Sequence, residues 1–186
     1  GTFDVAQVYG DAEDLVGMYM DRHGGRKPSG VSFNTKWIPT GSSEKTKEEV
    51  RKAIDESRAR MHLKSLDLLQ LYWWDYEKPY FGGMCKLAQA LGEEEGLLSG
   101  VSLTGVDAQR LREVSDAGVK IATLQCSLSI IDTRALDGEA ARLCSERGVG
   151  LIAHGTLLGG FLSDKWLGAP EPEDPSKLAS SQLRKY

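Results

Sequence analysis

Six short apolar runs recur along the chain, each separated from the next by a longer, charged stretch, and this alternation restricts the fold more than any other feature. The runs are Thr2–Ala6, Val31–Trp37, Leu66–Trp73, Leu97–Leu103, Val119–Cys126 and Val149–His154. They are continuous rather than alternating, as expected of parallel strands buried on both faces. The intervening stretches read as helices: Glu13–Met20, a polar one opening at Ser42-Ser43-Glu44 and running to about Met61, Gly82–Glu94, Asp107–Ala117 and Arg134–Arg147. Val50, Ile54 and Met61 form an apolar stripe on the second, and Gly118 and Gly148 stop two others just before a strand.

Strand and helix in strict alternation specify a parallel sheet joined by helical crossovers. No glycine-rich turn follows the first strand, which favours a barrel over a doubly wound nucleotide-binding sheet. The predicted architecture is a truncated (β/α)8 TIM barrel of about six βα units, one domain over residues 1–186 that is incomplete at both ends. The chain opens inside a strand and closes on a loop, Gly168 to Pro175, followed by the start of another helix. Such a sheet has two open edges unless further strands cover them, and open edges invite association.

Composition narrows the class. A net charge of −4 and a pI near 5.5 supply no basic face for nucleic acid. No apolar run reaches the roughly 18 residues of a membrane helix. Cys85, Cys126 and Cys144 are odd in number and unpaired in spacing, and the one asparagine, Asn34, begins no glycosylation sequon. These features predict a cytoplasmic protein. Gly1 leads directly into Thr2 with no initiator methionine, so an organelle-targeting segment is compatible with the same reading.

In a parallel barrel the chemistry sits at the carboxyl ends of the strands. Asp4 and Tyr9 lie at the end of the first run and Lys36 at the end of the second. Taken singly, each reads as part of a surface ion pair beside a rim tyrosine. Together on adjacent strand ends they read as a proton-transfer group, with Asp4 holding Lys36 and the ammonium lowering the phenol pKa of Tyr9. A fall of two or three units requires roughly 3 to 4 kcal/mol, which one close cation in a partly dry cleft supplies. Trp73 and Trp74 read equally as pocket walls or as packing, with only one facing the barrel mouth. His23, His62 and the run Glu93-Glu94-Glu95 read as solvated groups, and no metal-ligand spacing is present. Cys126 and Cys144 read as small buried apolar groups.

Phe3-Asp4 through Tyr9-Gly10, Thr35-Lys36-Trp37, Leu66-Asp67 through Tyr72-Trp73-Trp74-Asp75, Gly100-Val101-Ser102 and Cys144 through Gly148 together resemble the aldo-keto reductase family in order and spacing. The likeness spans nearly the whole chain. The segment from Gly155 to Gly168 resembles a fungal, plant and algal branch of it. The resemblance implies an eight-stranded barrel that binds NADP(H) and reduces a small-molecule carbonyl by hydride transfer. It implies Tyr9 as proton donor, Lys36 as modulator of its pKa and Asp4 as partner of Lys36. Tyr72 falls where the family places a histidine that orients the carbonyl. Ser102 and Gln125 fall at the nicotinamide carboxamide, His154 where an aromatic ring stacks on the nicotinamide, and Gly155 and Leu157 in the cofactor loop that follows.

Three positions depart from the family pattern: Tyr72 replaces the histidine, Leu103 replaces an asparagine amide, and His154 replaces a larger aromatic. Losing one buried hydrogen bond costs about 1 to 3 kcal/mol, so cofactor affinity is expected to fall tenfold or more. Alternatives therefore stand beside the reductase: a catalytically impaired, reductase-like protein that binds nucleotide or a partner without turnover, or a non-functional fragment. The sequence does not specify an oligomeric state.

Overall fold

The computed structural model describes residues 1–41, 43–72, 80–170 and 173–174. Six parallel strands form one sheet in chain order: β1 (Thr2–Asp4), β2 (Ser32–Trp37), β3 (Leu68–Tyr72), β4 (Val101–Thr104), β5 (Ile121–Ser127) and β6 (Gly150–His154). The crossovers are α1 (Ala12–Arg22), α2 (Lys47–Arg60), α3 (Phe81–Glu95), α4 (Ala108–Asp116), and the pair α5 (Arg134–Asp137) and α6 (Glu139–Arg147). Each strand pairs with the next in sequence, so the sheet curls progressively into part of a (β/α)8 barrel.

Alternation along the strands sorts residues between two faces. Phe33, Leu69, Leu71, Leu103 and Leu124 point outward and join Val50, Ile54, Met61, Met84, Leu91 and Leu111 of the helices in the apolar core. The opposite, concave face carries Asp4, Lys36, Gln70, Thr104 and Gln125, which bond to one another. An acidic side chain is also buried outside the sheet: Glu13 of α1 accepts 2.5 Å from the Thr35 hydroxyl and 2.6 Å from Arg60 Nε. That satisfies a carboxylate which would otherwise be costly in the interior.

The helix reading needs two corrections. The second crossover helix opens at Thr46 rather than at Ser42-Ser43-Glu44, because Thr46 and Glu49 form a reciprocal capping box. Thr46 Oγ1 accepts from the Glu49 N–H at 3.2 Å and Glu49 Oε2 from the Thr46 N–H at 2.9 Å. The stretch Arg134–Arg147 is two helices, broken at Gly138, whose extended backbone (φ −78°, ψ 171°) ends α5 and begins α6. The Glu93–Glu95 run is exposed at the end of α3, as its composition suggests, with Glu94 and Glu95 paired with Lys47 and Arg51 of α2. Ser42, Trp73, Trp74 and the helix expected after Pro175 lie outside the described residues.

Close packing of α1 on the end of α2 depends on Gly17. A Cβ there would lie 2.3 Å from the Arg60 carbonyl oxygen, whereas one at Gly82 in α3 would meet nothing within 4 Å. Gly17→Ala is predicted to destabilise the protein by about 1–3 kcal/mol through overpacking. Gly82→Ala should be neutral or stabilising by up to about 1 kcal/mol through helix propensity. Urea unfolding of the two variants beside wild type checks the contrast.

Candidate functional site

The site is assembled at the carboxyl end of the sheet, where β1, β2 and β3 bring Asp4, Lys36 and Tyr72 to neighbouring strand ends. Lys36 lies on the concave face of β2, paired in register with Gln70. Its side chain is only 3% exposed, and its Nζ donates to Asp4 Oδ2 at 2.5 Å and to the Val5 carbonyl at 3.2 Å. The same ammonium sits 5.2 Å from the centre of the Tyr9 ring, within cation–π range. Tyr9 follows β1 on a loop that is tied down by Gln7, whose amide donates to the Ala53 carbonyl at 3.1 Å and to the Ser57 hydroxyl at 2.9 Å on α2.

Asp4 receives more than the lysine. Gln70 Nε2 donates to its Oδ1, and Gln125 Nε2 donates to Oδ2 at 2.8 Å. Gln70 is fully buried and its Oε1 accepts from the Thr104 hydroxyl at 3.2 Å. Neither Gln70 nor Thr104 stood out in the sequence. The available signal was a lone amide inside the apolar run Leu68–Tyr72, on the same face as Tyr72.

Electrostatics at Tyr9 differ from the sequence expectation. The phenol is held above its ordinary pKa, first by partial burial, then by the negative charge of Asp4 and by Tyr72. The expected fall under Lys36 is absent because the ammonium is spent on Asp4 and faces the ring rather than the hydroxyl. Tyr72 is likewise raised, by burial.

The positions expected to meet a cofactor are spread over three strand ends. Ser102 on β4 is fully buried and accepts from the Thr123 hydroxyl at 2.8 Å. Leu103 faces the helices in the core, away from the concave face. Gln125 gives its amide N–H to Asp4, which leaves the carbonyl Oε1 as the group it can offer to a ligand donor. His154 ends β6, with Nε2 3.3 Å from the Ser127 hydroxyl. Gly155 follows with φ +70°, and Leu157 is exposed.

Of the cysteines, Cys85 and Cys144 are buried and Cys126 half-buried; burial raises all three thiols, Cys144 to about 11. Among the described residues no three His, Cys, Asp or Glu side chains are placed to hold a metal ion, and no helix is long and apolar enough to cross a membrane.

The aldo/keto reductase family profile matches residues 1–183. Among curated proteins, flagellar radial spoke protein 5 of Chlamydomonas reinhardtii is 33% identical over 123 residues, covering 58% of this chain and 23% of that protein. Among solved structures, an aldo-keto reductase of Bacillus halodurans in its holo form superposes with a TM-score of 0.74 at 23% identity, over 92% of this chain and 56% of that one. The glycerol dehydrogenase of Gluconobacter oxydans gives 0.71 at 20% identity, over 93% and 54%. An aldo/keto reductase of Klebsiella pneumoniae in complex with NADP and acetate gives 0.68 at 20% identity, over 91% and 58%. The chain thus spans little more than half of these solved structures and about a quarter of the curated relative.

The raised phenol has a measurable consequence. Alkaline difference spectra of wild type minus Tyr9→Phe should place the Tyr9 midpoint above 10, because burial and Asp4 both penalise the phenolate. A midpoint well below 10 would mean that Lys36 acts on the hydroxyl more strongly than its position over the ring allows.

Proposed function

The chain belongs to the aldo/keto reductase family, and on that premise we propose that the protein is an oxidoreductase reducing aldehydes and ketones to alcohols with NADP(H), Tyr9 being the proton donor. The observation that carries this reading is the Lys36 ammonium held between the Asp4 carboxylate and the Tyr9 ring at the strand ends. NADP as the cofactor takes its support from the NADP complex of the Klebsiella relative.

The residues present fit a nicotinamide group in part. Gln125 Oε1 would accept from the carboxamide NH2, the ring of His154 would lie against the nicotinamide, and Gly155 and Leu157 would line the turn beyond it. Ser102 does not fit as placed, being sealed and bonded to Thr123. When bound, the cofactor supplies the hydride to the carbonyl carbon. Tyr9 remains a neutral phenol through physiological pH and gives its proton to the carbonyl oxygen as charge develops there. The Lys36 cation, kept charged and placed by Asp4, holds the Tyr9 ring at the strand ends. Tyr72, level with Thr104 on the next strand, is the residue this reading assigns to orienting the carbonyl. Solvent returns the proton to the half-exposed Tyr9. The acidic surface and three free cysteines favour a reducing compartment such as the cytoplasm.

A second reading, binding of nucleotide or a protein partner without turnover, is favoured by the closed position of Ser102 and by the likeness to a radial spoke protein. One assay separates the two. Tyr9→Phe should lower aldehyde reduction by about a hundredfold or more, while NADPH titration by fluorescence stays within about twofold of wild type. A Tyr9→Phe protein as active as wild type contradicts the assigned proton donor. A silent wild type that gains turnover on Tyr72→His establishes the second reading.

A further inference from the structure

Asp4 stands on an edge strand with a partly exposed side chain, 29% accessible, yet its reactive placement relative to Lys36 has to be kept within a few tenths of an ångström. Lys36 and Gln125 both bond Oδ2, which leaves the other carboxylate oxygen to be fixed separately. The second oxygen, Oδ1, is taken by Gln70 Nε2. Which end of that amide faces Asp4 is decided one strand further on, where the Thr104 hydroxyl donates to Gln70 Oε1 at 3.2 Å. Gln70 is completely buried and Thr104 nearly so, so bulk water does not compete for this bond. If the amide turned over, its carbonyl would oppose the carboxylate.

We propose that Gln70 and Thr104 form a positioning clamp for the proton-transfer group: Thr104 fixes the amide of Gln70, and Gln70 fixes and partly neutralises Asp4. Neither residue contacts the carbonyl substrate in this assignment, which rests on the reductase reading above. The clamp acts through charge as well as geometry. An amide dipole on Oδ1 spreads the carboxylate charge and weakens its field at the Tyr9 hydroxyl. The clamp thereby keeps the phenol a better acid than Asp4 with only Lys36 and Gln125 would leave it.

Thr104→Val tests this with little change in volume. The Gln70 amide then loses its anchor, Asp4 loses a dependable donor, and the Tyr9 midpoint in alkaline difference spectra should rise by about half to one unit. In the intact protein, kcat for aldehyde reduction should fall about three- to tenfold with KM within about twofold, and the alkaline limb of the pH profile should move up with the phenol. Thr104→Ser, which restores the hydroxyl, should return both readings to wild type. Gln70→Met, close in volume but without donor or acceptor, should reproduce Thr104→Val and serves if that variant does not fold. An unmoved Tyr9 midpoint in a folded Thr104→Val or Gln70→Met protein overturns the clamp. A wild type without turnover overturns the reductase reading instead, and the midpoint measurement still decides the clamp.

Discussion

Donors from three strands converge on the carboxylate of Asp4: the ammonium of Lys36 on β2 and the amides of Gln70 on β3 and Gln125 on β5. The last of these constrains the whole sheet. β1 and β5 are four strand spacings apart, about 19 Å in a flat sheet, yet their side chains meet at 2.8 Å. Only a strongly curled sheet permits that contact. Curling in turn produces the concave face on which Lys36, Gln70, Thr104 and Gln125 are buried. Four polar side chains enclosed in a strand layer would be costly if unsatisfied, and Asp4 is the acceptor that two amides and the ammonium share. The fold and the site therefore depend on one anion.

That dependence explains what was legible in the sequence. Strand order and helix crossovers follow from backbone saturation and apolar burial, and runs such as Val31–Trp37 or Val149–His154 carry both signals locally. Asp4 and Lys36 were legible as a pair because they occupy the ends of consecutive strands. Gln70 and Thr104 were not, because their meaning comes from residues 66 and 34 positions away along the chain. The start of α2 was misplaced for a smaller reason: several residues from Ser42 to Thr46 resemble caps, and only Thr46 has a glutamate three residues on that closes the box.

The direction of the Tyr9 shift was also beyond sequence reasoning, which counted the nearby cation without its own partner. Lys36 is already neutralised by Asp4, so the phenol experiences burial and a residual negative field. A phenol of this kind holds its proton through neutral pH, which is the condition the proposed general-acid role requires. Family membership and the local electrostatics thus support the same proposed chemistry.

The most direct test of the common dependence on Asp4 is the unfolding free energy of Asp4→Asn in urea. The substitution keeps shape but leaves the buried Lys36 cation without its anion and turns one amide donor against another. The expected loss is about 2 kcal/mol or more, below the full value for a buried pair because Asp4 is partly solvated. A stability within about 0.5 kcal/mol of wild type would contradict it, since surface substitutions away from any such node change stability by no more than that.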